Sequence, residues 1–471
     1  LKGVIKDEAT KKPLGGVQVK MLGNSRYTAM SDDDGSFTIK VPVFATSLYV
    51  HSPEFLSQQV AIPADTTQVM DIYMLSDKFR KMYEDNTNYT ARRSFTSSAV
   101  QNITADAEIA ENLMADMRSI QRSAAPGIGN ANFIRGINSI NANSQPLIVV
   151  DGQELDMQMS REVLHSGNYF NLLTTIMPAD IEKVTVLKNA TALYGARGAN
   201  GVILIDTKRG HSLATRIDAN LSVGLSLVPR LPKMMDATQY RTYATELIGT
   251  MDGMKTSTPS LSFLNDDPNG YYYHMYHNNT DWTDDIYRMG LTQNYSINVQ
   301  GGDNVGMYNL SVGFVDGKST ADYNDYNRIN VRFNTDINIL RNLSTKFNIA
   351  ISRVTSNLRN DGAAEDFTKE TPTSPTFLSL IKSPLLSPYQ YNHYLGGFSS
   401  LLSEADDIFD ALGSEFSLAN PNGLLEEADG VNKNYLENTN FNIMLAPTLQ
   451  ISNDWSVTTS RGWASSLKSW G

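Results

Sequence analysis

The sequence contains no cysteine and only six histidines among its 471 residues. The lack of cysteine excludes disulfide bonds and thiolate metal sites, and it suits a protein of the cell envelope without requiring one. No two histidines have the HxxxH or HExxH spacing that is typical of a zinc site. His274 and His277 lie in the segment YYYHMYH, where a polar loop or an aromatic surface is favoured over a metal pair.

An excess of positive charge and a long apolar run are also missing. The formal net charge is −11 and the sequence pI is about 5.1, which argues against a nucleic-acid partner. No apolar run reaches the roughly 18 residues of a transmembrane helix. This absence does not exclude a membrane protein, because the strands of a membrane barrel alternate apolar and polar residues. A mean hydropathy of −0.30 with 41% hydrophobic residues fits such strands.

The arrangements that are typical of enzymes do not stand out either. We find no Ser-His-Asp order, no metal-ligand cluster and no paired carboxylates at a characteristic spacing. Carboxylates that lie far apart in sequence and are brought together by the fold remain an open alternative. The glycine-rich turn at 195–201 lies between a predicted helix and a strand, whereas a Walker loop follows a strand and precedes a helix. We therefore expect no enzyme, no cofactor and no metal.

The N-terminal segment, 1–75, predicts a small β-sandwich. Short strands are predicted at 3–6, 17–22, 36–41, 47–51 and 68–75. The DDDG turn at 32–35 is interpreted as a hairpin turn, because an EF-hand loop alternates its carboxylates and closes with a glutamate. Residues 76–103 are predicted to be a polar linker. An amphipathic helix is predicted over 104–121, with Thr104 as its N-cap and with Ile109, Leu113, Met117 and Ile120 on one face.

The central part of the chain predicts a compact α/β unit. Strands are predicted at 133–135, 147–150, 184–187 and 202–205. A short helix is predicted at 189–194 with Asn189 as its N-cap. Three glycines at three-residue spacing follow this helix and allow a tight turn of the backbone.

From about residue 215 onward, apolar and polar residues alternate strictly. The clearest segments are 295–299, 308–314, 329–339, 343–351 and 441–451. Each predicted strand has one apolar and one polar face, which fits either a soluble sandwich or a membrane barrel. Strand lengths of roughly nine to thirteen residues favour the barrel. So do short turns at 301–304 and 342, which contrast with long insertions at 230–290 and 356–438. An interface girdle is predicted from Tyr295, Tyr308, Tyr323, Tyr326 and Trp455.

The central motifs resemble the plug domain of TonB-dependent outer-membrane transporters, and within them the SusC-like (SusC/RagA) family of Bacteroidetes-type bacteria. They are IRGINSIN at 134–141, PLIVVDG at 146–152, DIEKVTVLK at 180–188 and ALYGARGANGVILIDTK at 192–208. The segment at 1–75 is similar to the carboxypeptidase-regulatory-like domain, which is non-catalytic in that family. NNTDWTDDIYR at 278–288 resembles the early barrel.

The resemblance implies a mainly β fold in which a β-sandwich, an α/β plug and the first part of an antiparallel transmembrane β-barrel follow one another. The implied domains are 1–75 (carboxypeptidase-regulatory-like β-sandwich), 76–103 (linker), 104–213 (plug) and 214–471 (partial barrel with long extracellular loops). The last range holds roughly seven to nine strands, whereas a plugged transporter needs about 22. We therefore expect an incomplete barrel in a chain that is truncated at its C-terminus. The lack of an initial methionine also indicates a processed or truncated product.

The resemblance also implies particular residues. The plug signature comprises Arg135, Gly136, Asp151, Gly152, Tyr194, Gly195, Arg197, Gly198, Asn200 and Gly201. Candidate substrate contacts are Asn138, Asn141 and Asn143, within plug loops at 138–145 and 156–167. The insertion at 156–175 is expected to be a surface loop, and the nearest candidate TonB box is the segment at 69–75.

The function that the resemblance implies is TonB-dependent import of oligosaccharides, or of peptides, across the outer membrane. A SusD-like surface lipoprotein is the expected partner, and the TonB–ExbB–ExbD complex is expected to pull on the plug from the periplasm. The barrel is expected to contact outer-membrane lipid, with the N-terminal domain in the periplasm. A surface glycan-binding or adhesin module without transport is the alternative, although an adhesin has no need of the plug motifs. An open barrel exposes strand edges, so this chain alone is not expected to transport.

Overall fold

The computed structural model describes residues 1–21, 24–43, 45–63, 68–76, 91–95, 104–114, 116–121, 126–138, 143–155, 171–250, 261–303, 305–340, 342–357, 359, 372–403, 418–426, 435–451 and 455–470. Across these residues most regular structure is strand, and the mainly β fold class is confirmed.

The N-terminal segment, 1–75, forms a sandwich of two small sheets. Its strands are β1 (Lys2–Asp7), β2 (Gln18–Met21), β3 (Asn24–Met30), β4 (Ser36–Thr38), β5 (Ser47–Ser52), β6 (Phe55–Ala61) and β7 (Val69–Met74). One sheet has the order β4-β1-β7 and the other β3-β2-β5-β6, with Ile5, Leu48 and Ile72 packed between them. The sequence does not predict β3 and β6, because both are polar edge strands without clear alternation.

The last strand of the sandwich is confirmed, whereas the predicted linker contains a strand that was not expected. β7 runs parallel to β1, so the candidate TonB box at 69–75 has its backbone in a sheet. Most of the predicted linker at 76–103 lies outside the described residues. Within it, β8 (Ala91–Phe95) is a strand that pairs with residues 184–187 of the central unit, which polar composition alone does not predict.

The central part of the chain is the α/β unit that we call the plug. Its elements are α1 (Ala105–Asn112), β9 (Arg118–Ile120), β10 (Ala131–Phe133), β11 (Leu147–Val150), β12 (Gln153–Leu155), β13 (Ile181–Leu187), α2 (Thr191–Tyr194) and β14 (Val202–Thr207), with 3-10 turns at Leu172–Thr175, Pro178–Asp180 and Gly195–Gly198. One sheet has the order β12-β11-β14-β13-β8, in which β11 and β14 are parallel. Ile109 of α1 packs on Ile148, Val184 and Ile203 of this sheet.

The helix predicted over 104–121 is about half as long in the structure. Thr104 is its N-cap, as predicted, and its hydroxyl accepts an N–H of the first turn at 3.3 Å. The helix ends at Asn112. Met117 still reaches the core, but Ile120 lies on β9 and is 40% exposed. The spacing of the apolar residues is satisfied by a short helix, a turn and a strand, which is why periodicity alone overstates the helix.

Two further local predictions in the plug are wrong. The strand predicted at 133–135 is β10, which ends at Phe133 and pairs with β9 outside the five-stranded sheet. Asn189 does not cap α2, whose N-cap is Ala190 without a side-chain hydrogen bond. Instead, the Asn189 amide oxygen accepts a hydrogen bond from the Arg135 guanidinium and so joins two loops.

The last part of the chain forms a long antiparallel sheet, which we call the wall sheet. Its strands are β15 (Arg216–Ser226), β16 (Gly290–Gly302), β17 (Gly306–Lys318), β18 (Asp325–Leu340), β19 (Leu343–Asn357), β22 (Tyr435–Gln450), β23 (Ser456–Thr458) and β24 (Arg461–Trp470). The inserted segments hold α3 (Ala237–Gly249), α4 (Tyr273–Tyr276), α5 (Pro375–Ile381), the hairpin of β20 (Tyr389–Asn392) with β21 (Gly397–Leu402), and α6 (Pro421–Glu426). Strands β16 to β19 and β22 have 13 to 16 residues each, which suits a tilted membrane strand.

The wall sheet exposes its apolar face and buries its polar face, which is the reverse of a sheet in a soluble protein. Outward-facing apolar side chains such as Ile297 (52% exposed) and Ile329 (50% exposed) lie open on one face. On the other face Asn309, Ser311 and Asn334 are buried against the plug. A sheet in water buries its apolar face, whereas a membrane barrel turns that face to lipid. The sheet therefore has the polarity of a barrel wall.

The ends of the wall sheet define its orientation. The short turns after Gly302 and Leu340 lie at one end, and the long insertions lie at the other. The sandwich sits at the short-turn end, because Ser57 exchanges backbone hydrogen bonds with residues 211 and 213, just before β15 begins. Outer-membrane barrels place short turns in the periplasm. The sandwich therefore lies at the end that such a barrel turns to the periplasm, and the insertions lie at the opposite end. No helix in the described ranges combines the length and apolar character needed to span a membrane.

Candidate functional site: the plug–wall interface

The inward face of β18 carries a row of buried polar side chains. Every second residue belongs to it, and each is less than a tenth exposed: Arg328, Asn330, Arg332, Asn334 and Asp336. The alternation of the strand places them on one face because successive side chains point to opposite sides. Buried charges are costly unless they are paired, so their partners on the plug decide what this face does.

Two arginines pair with carboxylates across the interface. Arg209, just after β14, donates from Nη1 to the Asp336 carboxylate at 2.6 Å and from Nη2 to the Asn348 amide oxygen at 2.8 Å. Arg332 of the wall sheet lies between two plug carboxylates, 3.4 Å from Asp180 and 3.7 Å from Asp151. The plug and the wall therefore each contribute charges of both signs, and the pairs neutralise one another.

Asp151 belongs to the predicted plug signature, and the local fold explains its position. Asp151 and Gly152 both have positive φ, and they form the two-residue turn of the β11–β12 hairpin. The Asp151 carboxylate accepts hydrogen bonds from the Thr207 N–H at 2.9 Å and from the Thr207 hydroxyl at 2.6 Å. The turn thereby fixes the carboxylate at the end of β14, where Arg332 reaches it.

Backbone carbonyls of the plug provide a second set of contacts. The Arg328 guanidinium and the Tyr326 hydroxyl both donate to the Thr174 carbonyl, at 2.8 and 2.9 Å. Asn334 donates to the Lys208 carbonyl at 2.8 Å. These contacts correct two predictions. Tyr326 is fully buried and cannot belong to an interface girdle, and Leu172–Thr175, the end of the predicted surface insertion, is held between plug and wall.

One carboxyl of the plug is poised to titrate near neutral pH. Asp206 lies on β14, a plug strand that does not span the membrane. Burial, together with the nearby Asp151 carboxylate, raises the pKa of Asp206 to about 6, although Lys183 and Lys346 act in the opposite direction. The interface therefore gains negative charge as the pH rises through this value.

The candidate substrate loop is tied to the rest of the signature by one side chain. Asn200 accepts a hydrogen bond from the Asn138 amide at 2.6 Å, and it donates to the carbonyls of Asn143 at 2.7 Å and Gln145 at 3.3 Å. Asn138 is exposed. Asn141 and the loop at 156–167 lie outside the described residues. The structure thus brings Asn138, Asn143 and Asn200 together, and contact of Asn138 and Asn143 with a substrate stays a prediction.

The remaining signature residues have structural partners. Arg197 forms an ion pair with Glu154 of β12 at 2.5 Å, and Tyr194 packs on the buried cluster around Val149 and Val202. Gly195 and Gly136 are exposed with positive φ, and Gly198 packs against the Ala190 carbonyl. These residues shape the plug and lie away from the wall contacts of Arg332.

The sequence motifs do not single out the charged residues that join plug and wall. Asp180, Arg209, Arg328, Arg332 and Asp336 are absent from the predicted site. The alternation in 329–339 does place three of them on or beside a polar strand face, and this pattern is the signal that could find them. Arg209 and Asp336 are 127 positions apart in sequence, so a motif cannot reveal their pairing.

The two histidines in YYYHMYH have aromatic and polar partners. His274 stacks on Tyr391 with ring centroids 4.4 Å apart, and His277 stacks on Tyr273 at 3.9 Å. His277 also lies 3.0 Å from the Asp266 carboxylate. Within the described ranges, no group of three or more histidine or carboxylate side chains could hold a metal ion.

Comparison with known protein families agrees with this geometry. The TonB-dependent receptor plug domain matches residues 87–202, and the carboxypeptidase regulatory-like domain matches residues 1–75. The TonB-dependent receptor SusC of Bacteroides thetaiotaomicron is 28% identical over 344 residues, which are 71% of this chain and 32% of SusC. The TonB-dependent receptor P3 of Formosa agariphila is 26% identical over 355 residues, 73% of this chain and 31% of P3. The chain thus spans about a third of the length of these curated relatives.

Solved structures show the same fold. The RagAB peptide transporter superimposes with a TM-score of 0.59 at 19% identity, covering 80% of this chain and 41% of that one. The open-open state of the RagAB peptide importer gives 0.57 at 21% identity, covering 79% and 40%. The wall sheet therefore has the fold of part of a TonB-dependent receptor barrel, and the matched family consists of transporters and receptors, which are not enzymes. Together these matches support a SusC-like TonB-dependent receptor and indicate an outer-membrane location with a periplasmic N-terminal domain.

Proposed function

We propose that this chain provides the plug and part of the wall of a transporter that imports oligosaccharides or peptides across the outer membrane. The observation that carries the proposal is the plug–wall interface. A plug with an ordinary apolar core rests on the polar face of a membrane sheet through ion pairs and hydrogen bonds. Polar contacts of this kind can be exchanged for water when the plug moves, whereas separating an apolar interface exposes its whole surface to water without compensation.

The energy source in this proposal is the TonB–ExbB–ExbD complex. A buried charge that loses its partner costs about 3–5 kcal/mol, so each ion pair opposes release of the plug until water reaches the separated groups. A pull from the sandwich side, where the short turns lie, supplies the work. The pairs of Arg209 with Asp336 and of Arg332 with Asp180 are then the contacts that this work breaks.

A SusD-like lipoprotein on the cell surface is the proposed partner. The long insertions at the outer end present several exposed aromatic side chains, among them Tyr271, Tyr272 and Phe398. Exposed aromatic clusters of this kind mark contact surfaces. Isolation of the transporter from outer membranes in mild detergent should recover a lipoprotein in equal amount, and isolation of the transporter alone would refute this part of the proposal.

The experiment that tests import compares uptake in cells that have or lack the gene. Fluorescent maltoheptaose, mannohexaose and hexa-alanine are offered to intact cells. Uptake of at least one probe should require both the gene and TonB. If the gene confers binding of a probe at the surface but uptake of none, the chain belongs to a binding module and import is refuted.

A further inference from the structure

A cavity of about 330 Å³ lies between the plug and the inward face of the wall sheet. Its two sides differ in chemistry. The plug side is mainly apolar and includes Val150, Leu155, Leu172 and Ile176. The wall side, from β18, β19, β22 and β24, combines apolar residues with amides and hydroxyls, among the latter Asn330, Ser352, Asn440, Asn442 and Ser466.

The charged residues at this cavity are already paired. Arg332 and Asp180 face each other at 3.4 Å, and Glu154 pairs with Arg197 at 2.5 Å. A charged ligand therefore finds no free countercharge among these four residues. The lining favours a neutral ligand.

The amides at the cavity have unused hydrogen-bonding capacity. Asn330 donates to the Thr175 carbonyl, but its Oδ1 has no partner among the described residues. The same holds for Asn440 Nδ2 and Asn442 Oδ1. Buried amide groups are normally satisfied, and each unsatisfied one is costly. Unpaired amide atoms also occur elsewhere on the inward face, at Asn294 and Asn298, but these three belong to side chains that line one cavity, where a ligand or solvent can complete the set.

We propose that this cavity is a subsite for one ring of a neutral, polyhydroxylated ligand, which it holds while the plug is in its resting position. A pyranose ring has apolar C–H faces and a rim of hydroxyls, each of which both donates and accepts. The apolar plug side fits the ring face, and the amide-rich wall side fits the hydroxyls. The cavity is at the lower end of the size range of small-molecule sites, which suits a single ring. The inference rests on the proposed import function and adds a stopping place beside the plug.

The test uses the whole transporter from outer membranes with one introduced thiol. The 471 residues contain no cysteine, so Ser352→Cys gives a reporter in the cavity. Ser222→Cys is the control. Ser222 pairs with the buried Asn294 and so faces inward, but it does not line the cavity. The rate of alkylation by N-ethylmaleimide is measured for both variants with and without maltoheptaose, mannohexaose or hexa-alanine.

At about ten times its Kd, an oligosaccharide should slow alkylation at position 352 about tenfold and leave position 222 unchanged. Equal rates with and without every sugar, or equal slowing at both positions, overturns the subsite. Protection by hexa-alanine alone also overturns it and assigns the cavity to peptides. If sugars enter cells without protecting position 352, only the subsite fails. If no probe enters cells, the import function fails with it.

A second pair of variants tests the amides directly. Asn442→Ala should lower kcat/KM for sugar uptake about tenfold, because a ring loses one or two hydrogen bonds. Asn298→Ala should not, because Asn298 is an inward-facing residue of β16 outside the cavity. Equal uptake by the two variants contradicts the subsite.

Discussion

Arg209 and Asp336 join the plug to the wall by an ion pair in which neither side chain is more than about a tenth exposed. Asp336→Asn keeps the shape of the side chain but removes its charge, so the Arg209 guanidinium stays buried beside a neutral amide. We expect the free energy of unfolding to fall by about 3–5 kcal/mol. Denaturant titration of the whole transporter in detergent measures this change.

The matched control is an ion pair on the outside of the wall. Arg353 and Glu437 lie 2.7 Å apart, but the Arg353 side chain is largely exposed. Glu437→Gln removes the same kind of charge and should cost less than about 1 kcal/mol. Equal losses in the two variants would show that burial of the Arg209 pair does not strengthen the plug–wall contact.

The partly buried carboxyl of Asp206 makes the plug sensitive to pH. Its folded pKa of about 6 lies above the usual value of 3.8, so between these values the folded state binds more protons than the unfolded state. Its contribution to stability is therefore fully present below pH 3.8 and is lost as the pH rises through 6. The loss is at most about 3 kcal/mol at pH 7 or above.

Asp206→Asn removes this titration without removing the polar side chain. The variant should unfold at higher denaturant concentration than the native protein at pH 8, and at nearly the same concentration at pH 4. Asp32→Asn changes an exposed carboxylate in a turn of the sandwich and serves as the control. An unchanged pH profile in Asp206→Asn would assign the pH dependence to other groups.

At this scale the sequence predicts which residue types face the plug, but not what they contact. Strict alternation by itself puts Arg332 and Asp336 on the polar face of β18. Their partners Asp180 and Arg209 come from segments far away in the chain, and although Asp180 begins the motif at 180–188, no motif shows which residues pair. Asp151 is predicted from its motif, yet its contacts with Thr207 and Arg332 depend on the packing of three separate elements.

At the scale of single elements, the turn into β14 depends on Gly201. Its φ is +89°, and a Cβ at this position would lie 2.6 Å from the Ile134 side chain. Gly201→Ala therefore adds a clash to the cost of a left-handed backbone. We expect a loss of about 2–4 kcal/mol in the free energy of unfolding.

Gly136→Ala measures the cost of the left-handed backbone without the cost of a side-chain clash. Gly136 also has positive φ, at +81°, but a Cβ there would meet nothing within 4 Å. Its loss should be only the backbone contribution of about 1–2 kcal/mol. If both variants lose the same amount in denaturant titration, the Ile134 side chain moves aside and the close approach has no energetic role.

The sequence predicts the long strands of the wall sheet better than the short elements of the plug. Long wall strands such as β18 are found because the strict alternation at 329–339 defines a period of two over most of the 16-residue strand. The end of α1 at Asn112 is missed, since a helix and a helix–turn–strand can bury the same apolar residues. β8 is missed because an edge strand with polar residues gains its stability from pairing with β13, which a sequence does not display.

At the scale of the whole molecule, the sequence leaves one ambiguity that the structure removes. Alternation predicts a two-faced sheet but not which face is buried, because a soluble core and a lipid bilayer both accept apolar side chains. The buried residues of the wall sheet are largely polar, and they meet a separate folded plug. A sheet arranged in this way is stable only where its outward apolar face leaves water.

A charged substitution on that outward face tests whether it contacts lipid. Ile297 lies near the middle of β16 and is half exposed. Ile297→Lys should destabilise the membrane-inserted protein by about 2–4 kcal/mol if the face meets lipid, and should reduce the amount assembled in the outer membrane. In water the same change would be nearly neutral. Val43→Lys, at a fully exposed apolar position of the sandwich, is the control and should assemble normally. Normal assembly of both variants, measured by protease protection in isolated outer membranes, would mean that the apolar face of β16 does not contact the bilayer.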